Sequence, residues 1–144
     1  MNKVIIGALE TCSLPELEIH DLQIRVDTGA KTSSLHVDNI RKKRVDGKLG
    51  ASFVIHPDIY DVEKTVQCWA PIVDIRSIKS SNGKAEQRLV ISTQLKMGPI
   101  EKSIEVTLTD RSDMSYMMLL GRQGMGKDFL VDPSASFVLA DDSV

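Results

Sequence analysis

Residues 24–36 read IRVDTGAKTSSLH. Apolar and polar residues alternate up to Val26, the period of a half-buried β-strand, and the alternation ends at Asp27-Thr28-Gly29-Ala30. A glycine directly after a strand-end carboxylate lets the backbone turn and leaves room for another backbone or a ligand. Asp27 is therefore either a carboxylate displayed in a cleft or the acid of an ordinary Asx-type turn. Asp-Thr-Gly by itself does not choose between them.

Strand periodicity extends to both sides. LEIHDLQIRVD, ASFVIH, RLVISTQL and KSIEVTLTD alternate in the same way and are rich in Val, Ile and Thr. Turn signals separate them at Asp46-Gly47, Ser81-Asn82-Gly83 and Met97-Gly98-Pro99, each between segments able to pair as hairpins. The one stretch with a helical pattern is short, about Arg122 to Phe129, and is weakened by Gly124 and Gly126. These signals predict an all-β chain. Its 144 residues suffice for one domain, 1–144, and are too few for two ordinary ones.

Composition narrows the partners. A formal charge of -2 exerts no global pull toward nucleic acid or anionic membrane. The basic run Arg41 to Lys48, RKKRVDGK, lacks interleaved aromatics and reads as a solvated hairpin, so no nucleic-acid partner is expected. MNKVIIGALETCSL is broken at Glu10 and lacks a secretory h-region, and no stretch approaches a membrane span. The expected location is cytoplasmic. Cys12 and Cys68 are too few for a disulfide framework and read as reduced thiols.

Two other chemistries fail on spacing. GRQGMGKD, Gly121 to Asp128, fits the glycine-lysine pattern of a phosphate loop but places Asp128 where a magnesium-holding Ser or Thr is needed. His20, His36 and His56 are scattered, and neither cysteine belongs to a C-x-x-C pair, so no metal ligands and no cofactor are expected.

RVDTGAKTSSLH, the SSNG turn, LTDRSDMSYMMLLGR and FLVDPSASF together resemble the bacterial retropepsin-like aspartic peptidase family long labelled ATP-dependent zinc proteases. The resemblance runs from about Ile24 to the C-terminus. It implies a retropepsin-like closed barrel with one short helix near the C-terminus. It also implies an aspartic peptidase with Asp27, Thr28 and Gly29 as its catalytic triplet, and Leu119, Leu120, Gly121 and Arg122 supporting that loop.

Aspartic peptidases share one proton between two carboxylates, and this chain has one Asp in such a context, so the resemblance implies a C2 homodimer. The hairpin from about Arg76 to Val90 takes the flap position, with Ser81, Asn82 and Gly83 at its tip and in contact with substrate. Arg25, Ala30 and Lys31 are the remaining substrate-binding candidates. Viral retropepsins usually carry an apolar residue at the position of Arg25 and an acidic one at that of Lys31. Arg25 shares a strand face with Asp27, so the expected substrate is a peptide or protein with acidic side chains. The family's association with ATP-grasp enzymes that add glutamate to proteins extends this to glutamate-extended tails and to such a ligase as functional partner. A non-catalytic peptide-binding dimer and a metal-dependent hydrolase are the alternative readings.

Overall fold

The structure is a computed structural model and describes residues 2–57, 63–79, 83–110 and 116–139. Its elements in chain order are β1 (Val4–Gly7), β2 (Leu9–Leu14), a 3-10 turn (Pro15–Leu17), β3 (Ile19–Val26), β4 (Ser33–His36), β5 (Asp38–Val45) and β6 (Lys48–Ile55). Then follow β7 (Val66–Lys79), β8 (Ala85–Met97), β9 (Ile100–Thr109), β10 (Met118–Leu120), α1 (Arg122–Met125) and β11 (Phe129–Asp132).

Six strands in the order β2-β3-β10-β4-β9-β8 form a ring, closed where Ser13 of β2 faces Lys96 of β8. The fold is thus an all-β, retropepsin-like closed barrel with one short helix near the C-terminus. From β8 the sheet continues outward through β7, β6 and β5, while β1 and β11 pair in parallel as a separate ribbon. Closing the ring removes the sheet edges that would otherwise invite another strand.

Local chemistry explains each turn. Asp46 and Gly47 both have positive φ, 52° and 79°, the two-residue geometry that matches strand twist and joins β5 to β6. Gly98, φ 58°, with Pro99 joins β8 to β9, and Met97 faces Ile100 across that turn. Along β3, buried Leu22 and Ile24 alternate with exposed Gln23 and Arg25, as the period of two requires. Phe53, Leu35, Ile91, Leu95 and Ile104 fill the centre with no exposure above 1%.

The structure corrects one expectation. The helix covers only Arg122–Met125, because Gly126 has φ 54° and Phe129 already pairs with Val4. The N-terminal run, which shows no clear period, supplies both β1 and β2. Glu10, which interrupts that run, is fully buried in β2. Its Oε2 accepts the Gly7 N–H at 2.7 Å and the Val138 N–H at 2.9 Å, and its Oε1 accepts the Leu139 N–H at 3.3 Å. One carboxylate therefore ties both chain ends to the barrel, satisfying backbone donors that would otherwise be buried unpaired.

This clasp predicts a large effect from a small change. Glu10→Ala should lower unfolding free energy by about 3 kcal/mol, the order expected when several buried donors lose one charged acceptor. Urea denaturation of the two proteins measures it. A loss under about 1 kcal/mol would show that water or relaxation replaces the carboxylate.

Candidate active site

Three strands build the site. β10 lies between β3 and β4, parallel to β3 with Leu119 opposite Arg25 and Leu120 opposite Val26, and antiparallel to β4 with Leu119 opposite Ser34. The loop from Asp27 to Thr32 leaves β3, passes around the end of β10 and returns as β4. Gly121 sits under this loop. A Cβ there would come within 2.7 Å of the Thr32 carbonyl carbon and 3.0 Å of the Ala30 oxygen, so only glycine fits.

Hydrogen bonds fix the loop residue by residue. The Asp27 N–H donates to the Leu120 carbonyl at 2.9 Å, the Arg122 N–H to Ala30 at 2.8 Å and the Gln123 N–H to Lys31 at 2.9 Å. The Ser33 hydroxyl accepts the Gly121 N–H at 3.0 Å, and the Arg122 guanidinium reaches back to the Thr28 carbonyl at 2.9 Å. Leu120, Arg122 and Gln123 thus bind Asp27, Thr28, Ala30 and Lys31 directly, while Leu119 sets the β10 register and Gly121 leaves room for the loop.

Asp27 is half-buried, and its Oδ1 accepts the Gly29 N–H at 3.0 Å. Its Oδ2 has no protein partner among the described residues. One oxygen orients the carboxylate while the other stays open for a water or a second acid. A Cβ at Gly29 would stand 3.2 Å from Asp27 Oδ1, a tight contact that would press on the carboxylate.

Beyond the loop, a cavity of about 770 Å³ opens between Ala30, Lys31, Thr32 and the long β7–β8 hairpin. Gly83 is described and exposed, whereas Ser81 and Asn82 lie outside the described residues. Arg25 is exposed on β3, carries no ion pair among the described residues and does not line this cavity. Lys31 does. The other charged lining residues are Arg76, Lys79, Arg88 and Glu105, none of which stands out in the sequence. Their common location depends on the β7–β8–β9 register, which places Arg76 opposite Arg88 and Glu105 opposite Ser92.

Competing nucleophiles are muted. Burial pushes the Cys12 thiol up to about 12, and burial aided by Glu18 pushes Cys68 up to about 11, so neither is ionised near neutral pH. Among the described residues no three His, Cys, Asp or Glu side chains converge as a metal site would require. His56 instead pairs with Asp38 at 2.7 Å. Asp128, the acid that spoils the phosphate-loop pattern, binds Lys102 at 2.7 Å, and the same ammonium caps Met125 at the helix end, 3.1 Å from its carbonyl. No described helix is long and apolar enough to cross a membrane.

The chain has relatives in sequence and in fold. It is 44% identical over 140 residues to a Shewanella pealeana protein named probable alpha-L-glutamate ligase, and 44% identical over 141 residues to one so named from Desulfotalea psychrophila. The matches cover 97% and 98% of this chain but 31% and 30% of those proteins, so it spans about a third of the length of these curated relatives. A crystal structure of a Legionella pneumophila protein of unknown function superposes with a TM-score of 0.81 at 27% identity, covering 96% of this chain and 99% of that one. The model of the RimB-like family, described as retropepsin-like aspartic endopeptidase RimB, matches residues 5–141, and the chain belongs to that family.

Proposed function

We propose that the protein is an aspartic-type peptidase acting as a C2 homodimer, with one Asp27 from each copy at the axis. The observation that carries this reading is the Asp27 carboxylate, braced through Oδ1 by Gly29 and open at Oδ2, on a loop locked by β10. In the dimer, one Asp27 carboxylate is ionised and takes a proton from a shared water. The other is protonated and donates to the scissile carbonyl. Two carboxylates in contact cannot both ionise cheaply, which supplies the required asymmetry. Thr28 is exposed beside Asp27 and in this dimer binds across the axis.

The β1–β11 ribbon supports a second copy on this side of the molecule. Ile5 and Leu130 face each other in register, each 53% exposed, on a ribbon whose other face buries Ile6. β1 runs directly into Ala8, whose carbonyl accepts the Val26 N–H at 2.9 Å, next to Asp27. An exposed apolar pair next to an incomplete site fits an interface between copies.

The substrate we assign is a peptide with acidic side chains, glutamate-extended tails included. Lys31 borders the cavity, and the relatives named probable alpha-L-glutamate ligase carry a matching segment within much longer chains. A peptidase of this specificity would remove what a glutamate ligase adds, which makes such a ligase the expected functional partner.

Asp27→Asn tests the mechanism directly. It should cut peptide turnover by about a thousandfold while leaving the melting curve unchanged, because Asn keeps the shape but cannot take up the proton. Wild-type turnover in that variant would end the aspartic reading.

Leu130→Lys should raise the dimer dissociation constant by at least about tenfold, since a charge replaces buried apolar area, and specific activity should fall with it on dilution. Sedimentation at several concentrations, paired with the assay, measures both. Exhaustive chelation should leave turnover intact, and loss of turnover restored by zinc would favour the metal-dependent alternative.

A further inference from the structure

Two side chains above the cleft break a local rule. Arg76 on β7 and Arg88 on β8 stand directly opposite each other in the flap ladder, where like charges repel. The repulsion is compensated on one side only. Arg76 donates through Nε to Asp74 at 2.8 Å and through Nη2 to Glu105 at 2.7 Å, and the hydrogen bond it gives holds the Asp74 carboxyl below the usual carboxylate range. Glu105 lies on β9, so this contact pins the flap arm to the barrel.

Arg88 has no such support. Its side chain is 11% exposed, its one ion pair among the described residues is a 3.4 Å contact with the largely solvated Glu86, and its Nε is buried without a partner. A guanidinium this desolvated, with a donor unmade, is held at a cost, and costs of this kind concentrate at sites of function. Both arginines line the cavity of about 770 Å³ together with Lys31 and Lys79, and Glu105 is the one acid among the described lining residues. The cavity wall thus has a surplus of cations although the whole chain carries -2.

We propose that Arg88 is the residue that reads the substrate's carboxylate: an Asp or Glu side chain of the bound peptide enters beneath the flap and takes the Nη donors of Arg88 in place of their weak 3.4 Å contact with Glu86. Arg76 is a positioning residue here, because Asp74 and Glu105 already occupy it and it fixes the flap arm that carries its neighbour. The planar fork of Arg88 suits bidentate carboxylate binding, which a lysine cannot reproduce. Selectivity for acidic peptides then resides on the arms of the β7–β8 hairpin, at a position unrelated to Arg25. This inference rests on the peptide-binding half of the function proposed above but not on hydrolysis.

The test measures binding and cleavage separately. Anisotropy of a fluorescein-labelled alanine-based peptide with two central Glu residues, and of its Gln counterpart, is measured on full-length chains carrying Asp27→Asn so that nothing is cleaved. Arg88→Gln should reduce the Glu-over-Gln preference about tenfold, Arg88→Lys should restore it only in part, and Lys42→Gln on the distant β5–β6 hairpin, the same loss of charge, should leave it unchanged. An equal preference with Arg88→Gln, an equal loss with Lys42→Gln, or no preference to begin with would overturn the assignment. Cleavage of both peptides by the chain with Asp27 intact is followed in parallel. Glu-selective binding without cleavage would refute the peptidase and keep the Arg88 subsite, whereas cleavage with unchanged selectivity in Arg88→Gln would do the reverse.

Discussion

The site depends on how closely Gly121 approaches the Asp27–Thr32 loop. With no side chain at 121, β10 slides far enough between β3 and β4 for its end to carry the loop on backbone hydrogen bonds, joined by the Ser33 hydroxyl and the Arg122 guanidinium. Asp27 hangs from Leu120, Ala30 from Arg122 and Lys31 from Gln123. These three bonds involve no titratable group, so they do not change with the charge state of the carboxylate the loop displays. A catalytic acid that must gain and lose a proton gains from such a mount, because its neighbours need not rearrange as it does so.

Electrostatics divides the molecule in a way net charge conceals. The β5–β6 hairpin exposes Arg41, Lys42, Lys43, Arg44 and Lys48 to solvent, where their charges are screened and blunt the sheet's outer edge. Lys31, Arg76, Lys79 and Arg88 gather along one cavity, where the partly withdrawn Arg76 and Arg88 are screened less than the hairpin charges. Acids elsewhere balance the sum. Several are structural: Glu10 clasps the chain ends, Asp128 holds Lys102, and Asp74 and Glu105 hold Arg76.

Residues whose chemistry is dictated locally are legible in the amino-acid sequence. Asp27-Thr28-Gly29 and Leu119-Leu120-Gly121-Arg122 read as one site through the family resemblance that their motifs carry, and the hairpin turns at Asp46-Gly47 and Gly98-Pro99 reveal themselves because a tight turn admits few residue types. Residues whose role depends on register are not legible there. Nothing in the sequence distinguishes Arg76 and Arg88 from other flap charges until β7 and β8 are aligned. Glu10 looks like an interruption because a buried carboxylate with backbone donors from both chain ends has no local signature. Helical periodicity alone carries α1 on to Phe129, because it counts the glycines there only as weak helix formers, whereas Gly126 adopts a positive φ that stops the helix.

The threading of β10 also constrains how the protein is made. The Arg122 bond to Thr28 spans 94 residues and the Gly121 bond to Ser33 spans 88, so the support for the Asp27 loop is synthesised long after the loop itself. Contacts of such sequence separation must overcome the entropy of closing a long loop before they return any stability, which makes them late and slow to form. A nascent chain can pair β5 with β6 and β7 with β8 as each emerges, but its Asp27 loop stays without a scaffold until β10 leaves the ribosome. A site built this way stays incomplete until β10 has been made.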